Sequence, residues 1–139
     1  MTGPATPDWP ESTDEELERP LPSRPAAVEL ASAILIVGGA VGAIGTLASR
    51  ANLPPGTEPF IALTFALDVG AVILGLLIRR GRAWLLAANY AAVLGFVDLL
   101  GAGGSPLALM LGLADIVVVV ILFVHKAWFD ELRERRADE

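Results

Sequence analysis

Three aspartates lie inside long apolar stretches of the sequence, and they are the residues with the clearest capacity for chemistry. Asp68, Asp98 and Asp115 each stand in a run that contains no Lys or Arg. An ionisable side chain near the middle of a bilayer costs about 2.5–3.5 kcal/mol on insertion scales, so it normally faces other helices or a wet cavity. Carboxyl groups in such positions carry protons, attract cations or form hydrogen bonds between helices.

Asp68 and Asp115 are predicted to lie at the same depth. Each follows the first residue of its run, Phe60 or Leu107, by eight positions. At the rise of an α-helix, this distance places both carboxyl groups about 12 Å from the same membrane face. Two buried carboxyl groups without a basic partner cannot both ionise cheaply, so we expect at least one to be protonated at neutral pH and a proton to be shared.

Two interpretations of the aspartates stay open. In the first, Asp68 and Asp115 form contacts between helices by hydrogen-bonding to each other, to Thr64, or to Asn89 and Tyr90. In the second, they belong to a proton or cation pathway that opens to the outer face. Asp98 lies near the outer end of its run, where Arg50 is within reach. The residues of the possible pathway are Asp68, Asp115, Asp98, Thr64 and Asn89.

An enzymatic interpretation rests on one short motif. The segment Gly112-Leu113-Ala114-Asp115 resembles the Gly-x-Gly-Asp motif of intramembrane aspartyl proteases, with alanine in place of the second glycine. The resemblance implies that Asp68 would supply the second catalytic carboxyl group. Members of that family have more spans, and their Pro-Ala-Leu motif is missing from this sequence. We therefore expect a protein that is not an enzyme and has no catalytic residues.

Metal and cofactor chemistry is also restricted by composition. Cysteine is absent and His125 is the one histidine, so neither Cys-based sites nor His-based sites can form within one chain. We expect no metal and no cofactor. The net charge of -6 argues against nucleic acid as a partner.

The elements that must position the aspartates are four apolar segments. The runs cover residues 30–48, 60–78, 83–100 and 107–124. A helix of about 18 to 19 residues measures roughly 27 Å or more, close to the thickness of the hydrocarbon core. In lipid each backbone group must be paired within its own segment, which predicts helices. The fold class is therefore predicted as all-α, a four-transmembrane-helix bundle with spans at about 27–49, 60–78, 83–101 and 106–125 within a domain of residues 26–125.

Charged segments flank this predicted domain. Residues 1–25 hold six prolines and six acidic residues, which predicts a disordered cytoplasmic tail and does not fit a signal peptide. Residues 126–139 predict a charged cytoplasmic helix in which Glu131 and Arg135 form an i,i+4 pair.

Basic residues predict the orientation in the membrane. They follow the second and fourth runs, whereas the connection at 101–106 carries no charge. Lys and Arg concentrate in cytoplasmic loops, so both termini are predicted to lie in the cytoplasm and the protein to be a multi-pass protein of the cytoplasmic membrane. The predicted partners are the lipid bilayer and its anionic head groups. The basic residues expected to face those head groups are Arg79, Arg80, Arg82 and Lys126.

Small residues predict close helix packing. Gly38, Gly42 and Gly45 recur at helical spacing in the first run. This face either packs against other helices of the same chain or joins a second copy, so a homo-oligomer or a larger membrane complex is a further prediction.

Two transmembrane families offer comparisons at the level of topology. Small multidrug transporters have four short spans and an essential glutamate in the first, whereas Glu29 stands at the start of the first run here. The chain also resembles small four-span integral membrane proteins of bacteria whose function is uncharacterised, through residues 75–84 and 127–129. That resemblance implies topology and not activity. We expect a non-enzymatic accessory or structural membrane component, and the alternative is a small proton- or cation-coupled transporter or channel.

Overall fold

The computed structural model describes residues 22–52, 54–101 and 106–137, and this part of the chain is helical throughout apart from its connections. A short 3-10 turn, Arg50–Asn52, follows the first helix. The five α-helices are α1 (Ala26–Ser49), α2 (Glu58–Arg79), α3 (Trp84–Gly101), α4 (Pro106–Val124) and α5 (Lys126–Ala137). The predicted all-α class is confirmed for the described ranges, whereas most of the predicted acidic tail, residues 1–21, lies outside them.

The first four helices are long and apolar. Those designated α1, α2 and α4 have the length and composition needed to cross a membrane, and α3 is a shorter apolar helix of 18 residues. They begin and end within two residues of the four spans predicted from the sequence. These features are those of a membrane protein.

The four long helices pack as two helical hairpins. In each hairpin, α1 with α2 and α3 with α4, a short connection brings consecutive helices side by side and antiparallel. The hairpins meet where α1 contacts α4 and where α2 contacts α3. Each long helix therefore has two neighbours, and residues from three helices can meet in the interior.

Proline residues mark the starts of three helices. Pro25 precedes α1, Pro59 lies in the first turn of α2 and Pro106 opens α4. Proline suits these positions because its φ angle is already helical and the N–H it lacks has no partner there. The starts of these three helices can consequently be predicted from the sequence.

The buried core occupies one end of the bundle, which we call the basic end because it carries residues 79–82 and α5. Twelve apolar residues there and towards the middle of the helices are nearly inaccessible, among them Phe129 at 1% exposure. Within this core the Ser32 hydroxyl donates a hydrogen bond of 2.9 Å to the Gly75 carbonyl oxygen and joins α1 to α2. The full set is Val28, Ala31, Leu35, Ala71, Leu74, Ile78, Ala87, Ala88, Ala91, Val118, Leu122 and Phe129.

The outward faces of the long helices are apolar. Large side chains such as Ile44, Phe60 and Leu100 are between 68% and 71% exposed. A continuous apolar surface of this kind is unfavourable in water and favourable against lipid chains. The fold therefore has apolar groups around its circumference as well as in its core, and most of its charged groups lie at its ends.

Candidate functional site

Asp68 on α2 lies against α1. The Thr46 hydroxyl donates a hydrogen bond of 3.2 Å to Asp68 Oδ2. A Cβ atom at Gly42 would overlap the Asp68 carboxyl group, and one at Gly39 would overlap its backbone carbonyl oxygen. The two glycines of α1 thus provide the space in which this half-buried carboxyl group is held.

Asp115 on α4 lies against α3 at a similar glycine contact. Its side chain is 9% exposed. A Cβ atom on Gly95 would stand 3.0 Å from the Asp115 Cβ and 3.2 Å from the Gly112 carbonyl oxygen. Because the backbones of α3 and α4 approach so closely here, a larger residue at Gly95 would press against Asp115.

Asp98 on α3 lies near the two other carboxyl groups. It is within electrostatic range of Asp68 and of Asp115. The direct pair of Asp68 and Asp115 that the sequence indicates stays a prediction. Three carboxyl groups from three helices therefore lie close enough to influence one another's charge.

Tyr90 on α3 belongs to the same group of side chains. Its hydroxyl group is within electrostatic range of Asp68 and Asp115, and it donates a hydrogen bond to the Leu67 carbonyl oxygen. A Cβ atom on Gly70 would lie 2.7 Å from that hydroxyl oxygen, so the tyrosine packs on the backbone of α2. We call Asp68, Asp98, Asp115 and Tyr90 the carboxyl cluster.

Ion pairs in the described ranges lie away from the carboxyl cluster. Glu29 accepts a hydrogen bond from Arg24 at 2.6 Å and one from Arg79 at 2.7 Å. Glu131 pairs with Arg135 at 2.9 Å, the predicted i,i+4 contact. Arg50 lies beside Glu58 in a pocket at the opposite end and forms no ion pair with Asp98. Thus the cluster has no basic partner among the described residues.

Two of the predicted pathway residues lie outside the cluster. The Thr64 hydroxyl donates to the Phe60 carbonyl oxygen at 3.0 Å, and the Asn89 amide donates to the Leu85 carbonyl oxygen at 2.7 Å. Each group is thus satisfied by its own helix, four residues earlier, and Asn89 is exposed. The hydrogen bonds expected from these two side chains to the aspartates are not formed.

Thr46 is the contributor that the sequence interpretation missed. The signal for it is the register of the first hairpin: Gly42 and Asp68 are equally distant along the chain from Pro55 in the turn. Residues equidistant from a tight turn face each other in antiparallel helices, and Thr46 lies one helical turn from Gly42. The register therefore identifies Thr46 as the residue that donates a hydrogen bond to Asp68.

The predicted glycine face of the first span divides into two parts. Gly42 packs on Asp68, whereas a Cβ atom at Gly38 or Gly45 would meet no heavy atom within 4 Å. Gly39, which is buried, takes the second close contact with α2. The contact between helices thus uses Gly39 and Gly42, and Gly38 and Gly45 face open space.

Within 22–52, 54–101 and 106–137, no three His, Asp or Glu side chains have positions that could hold a metal ion.

The basic residues that the sequence predicts to face lipid head groups lie at the basic end. Arg79 pairs with Glu29, while Arg80 and Lys126 are exposed. Arg82 lines a groove at the basic end, next to α5.

Comparisons of the chain with protein-family models, curated proteins and solved structures found no match. The function must therefore be argued from the chemistry and packing of the described residues.

Proposed function

We propose that the protein is a four-span integral membrane protein of a bacterial cytoplasmic membrane and serves a non-enzymatic accessory or structural role. The single observation that carries this proposal is the packed core between the carboxyl cluster and the basic end. Residues such as Leu35, Leu74 and Leu122 are at most 6% exposed there. A dry core at this position favours a bundle held together by its carboxyl groups over one that conducts.

The positions of the cavities support the same proposal. A groove of about 390 Å³ lies at the basic end, and a pocket of about 330 Å³ lies between Leu47 and Phe65 at the opposite end. Neither is lined by a residue of the carboxyl cluster. The cluster therefore acts as a polar contact between α1, α2, α3 and α4, where hydrogen bonds replace those that water supplies elsewhere.

The orientation belongs to this proposal as well. The basic end carries Arg79, Arg80, Arg82 and the arginines of α5, so it faces the cytoplasm, and both termini lie on that side. Trp84 and Trp128 stand at the same end, at the level of the head groups where aromatic rings are enriched.

A proton- or cation-coupled transporter is the second candidate, and one observation favours it. Three carboxyl groups interact without a basic partner among the described residues. Carboxyl groups of this kind occur in proton relays, where they exchange a proton along a series of sites. A conformation that opens the core at the basic end would be needed to connect the cluster to the cytoplasm.

A flux assay separates the two candidates. The purified protein is placed in vesicles that contain a pH-sensitive dye, and a proton gradient is imposed. An accessory or structural protein gives the same rate as empty vesicles. The variants Asp68→Asn and Asp115→Asn then behave like the wild type.

The control variant is Asp130→Asn, which makes the same change outside the long helices. A proton flux in the wild type that Asp68→Asn and Asp115→Asn abolish and Asp130→Asn retains would overturn the accessory role in favour of transport.

A further inference from the structure

Three arginines surround the groove at the basic end. Arg82 comes from the connection between α2 and α3, and Arg133 and Arg136 come from α5. The groove has a volume of about 390 Å³, enough for a phosphate group with part of its ester substituents. Guanidinium groups bind phosphate oxygens in a planar, two-bonded geometry, so the wall of this groove has the chemistry of an anion site.

The charges of the groove are available to a ligand. Neither the Arg82 side chain nor the Arg133 side chain forms a hydrogen bond or ion pair with a described residue. Acidic side chains of α5 do not line the groove, and Glu131 is paired with Arg135 on another side of the helix. An anion that entered the groove would therefore meet unpaired positive charge.

Arg136 fixes the geometry of the groove. Its guanidinium nitrogens donate to the Arg80 carbonyl oxygen at 2.7 Å and to the Gly81 carbonyl oxygen at 3.3 Å. A Cβ atom at Gly81 would overlap the Leu132 side chain, which shows how closely α5 packs on this connection. The α2–α3 connection and α5, which carry the arginines of the groove, are therefore held at a set separation before any ligand binds.

The rest of the groove is apolar. The rings of Trp84 and Phe129 stack at 6.1 Å between centroids and 27° between planes. Leu85 and Leu86 also line it, and they are 53% and 60% exposed. Since these two residues continue onto the outward face of α3, the groove runs from a charged rim to the surface that lipid chains would cover.

We propose that this groove binds the phosphate head group of one anionic phospholipid, with its acyl chains lying along the outward face of α3. The proposal rests on the membrane embedding proposed above. Charge complementarity selects an anion, and the apolar continuation at Leu85 and Leu86 selects a lipid over free phosphate. The ligand thereby connects α5 to the α2–α3 connection.

The test is native mass spectrometry of the full chain in a neutral detergent, where no membrane surface potential contributes. Phosphatidylglycerol, phosphatidylcholine and inorganic phosphate are added separately. We expect a one-to-one complex with phosphatidylglycerol, weaker binding of phosphatidylcholine and none of phosphate alone. Removal of each arginine removes a charge-assisted hydrogen bond and should weaken the lipid complex about tenfold, so Arg82→Gln with Arg133→Gln should lower its affinity about 100-fold.

The matched control is Arg135→Gln, which makes the same change on α5 but outside the groove, where Arg135 pairs with Glu131. It should retain the affinity of the wild type. Equal binding of both lipids, equal binding of inorganic phosphate, or an equal loss in Arg135→Gln would each overturn the proposal.

A second measurement distinguishes a loss of lipid binding from misfolding of the variant and from an error in the proposed membrane embedding. The helical circular dichroism and the elution volume of the double variant should match those of the wild type, because the side chains of Arg82 and Arg133 form no hydrogen bond or ion pair with a described residue. If the membrane embedding itself were wrong, the wild type would stay soluble after detergent removal, and this outcome is read before any lipid is added.

Discussion

At the scale of single residues, the carboxyl cluster is expected to tolerate loss of charge and not gain of positive charge. Asp115→Asn keeps the size of the side chain and its capacity for hydrogen bonds, so the variant should fold. Asp115→Lys places a longer, cationic side chain against Gly95, where the backbones meet, and insertion alone costs about 2.5–3.5 kcal/mol. Folded yield in detergent, measured by size exclusion, should fall for the lysine variant only.

The control for this pair is Asp130→Lys on α5, outside the long helices. Its yield should equal that of the wild type. Equal yields for Asp115→Lys and Asp130→Lys would contradict the buried position of Asp115.

Hydroxyl groups on α1 and α2 give the second prediction at this scale. Thr46→Val removes the donor to Asp68, and hydrogen bonds between membrane helices contribute about 0.6 kcal/mol on average, so unfolding in detergent should become easier by about that amount. Thr64→Val removes a bond within one helix and should change the free energy of unfolding less. A larger effect at Thr64 than at Thr46 would be inconsistent with the described hydrogen bonds.

Some residues of the site can be identified from the sequence, whereas their hydrogen-bond partners cannot. The aspartates are evident because charge inside an apolar run has few explanations. The bond between Thr46 and Asp68 depends on hairpin register, which apolar patterning alone does not determine. Thr64 and Asn89 have the right composition and depth, but a carbonyl four residues earlier on the same helix takes their hydrogen bonds.

At the scale of elements, the contact between α1 and α2 gives a matched test on two adjacent glycines. Gly39→Ala adds a Cβ atom that would overlap the Asp68 carbonyl oxygen, whereas Gly38→Ala adds one in open space. Overpacking typically costs about 1–3 kcal/mol. We expect that loss of stability in unfolding experiments for Gly39→Ala, and none for Gly38→Ala, whose helix propensity improves.

The predicted dimer interface on α1 is examined by the same pair of variants. Cross-linking in membranes that decreases for Gly38→Ala, with unchanged unfolding, would support a second copy at the open glycine positions. Destabilisation of Gly38→Ala in a purified monomer would contradict the packing described for α1.

The connection between α2 and α3 gives the second prediction for elements. Gly81 has a φ angle of +67° and packs on Leu132, whereas Gly56 has a φ angle of +91° in open space. Alanine at either position carries backbone strain of roughly 1–2 kcal/mol, and alanine at Gly81 adds overlap with α5. Hydrogen exchange should therefore become faster in α5 for Gly81→Ala and stay unchanged there for Gly56→Ala.

The elements themselves are largely predictable from sequence because their signals are local. Apolar runs of about 18 residues bounded by proline and glycine determine where each helix starts and stops. The side on which α5 packs is not predictable in this way. It depends on Arg136 reaching carbonyl oxygens more than fifty residues earlier in the chain, a contact that leaves no periodic pattern.

At the scale of the whole molecule, polarity is distributed unevenly along the bundle. The carboxyl groups interact in the half away from the basic end, the packed core lies next to them, and basic residues lie at the cytoplasmic end in our proposal. Such an arrangement gives the bundle two polar ends and an apolar circumference between them. It agrees with a protein that orients itself in the membrane by charge and holds its helices together by glycine contacts and a few hydrogen bonds.

The central claim is that four helices cross the membrane with both termini in the cytoplasm, and cysteine labelling from each side tests it most directly. The chain has no native cysteine, so single cysteines at Ser23, Asn52, Arg80 and Ser105 report their sides without interference. An impermeant maleimide applied to intact cells should label Asn52→Cys and Ser105→Cys, and should label Ser23→Cys and Arg80→Cys only after permeabilisation. Labelling of Arg80→Cys and Ser105→Cys from the same side would show that α3 does not cross, and the four-span account would be wrong.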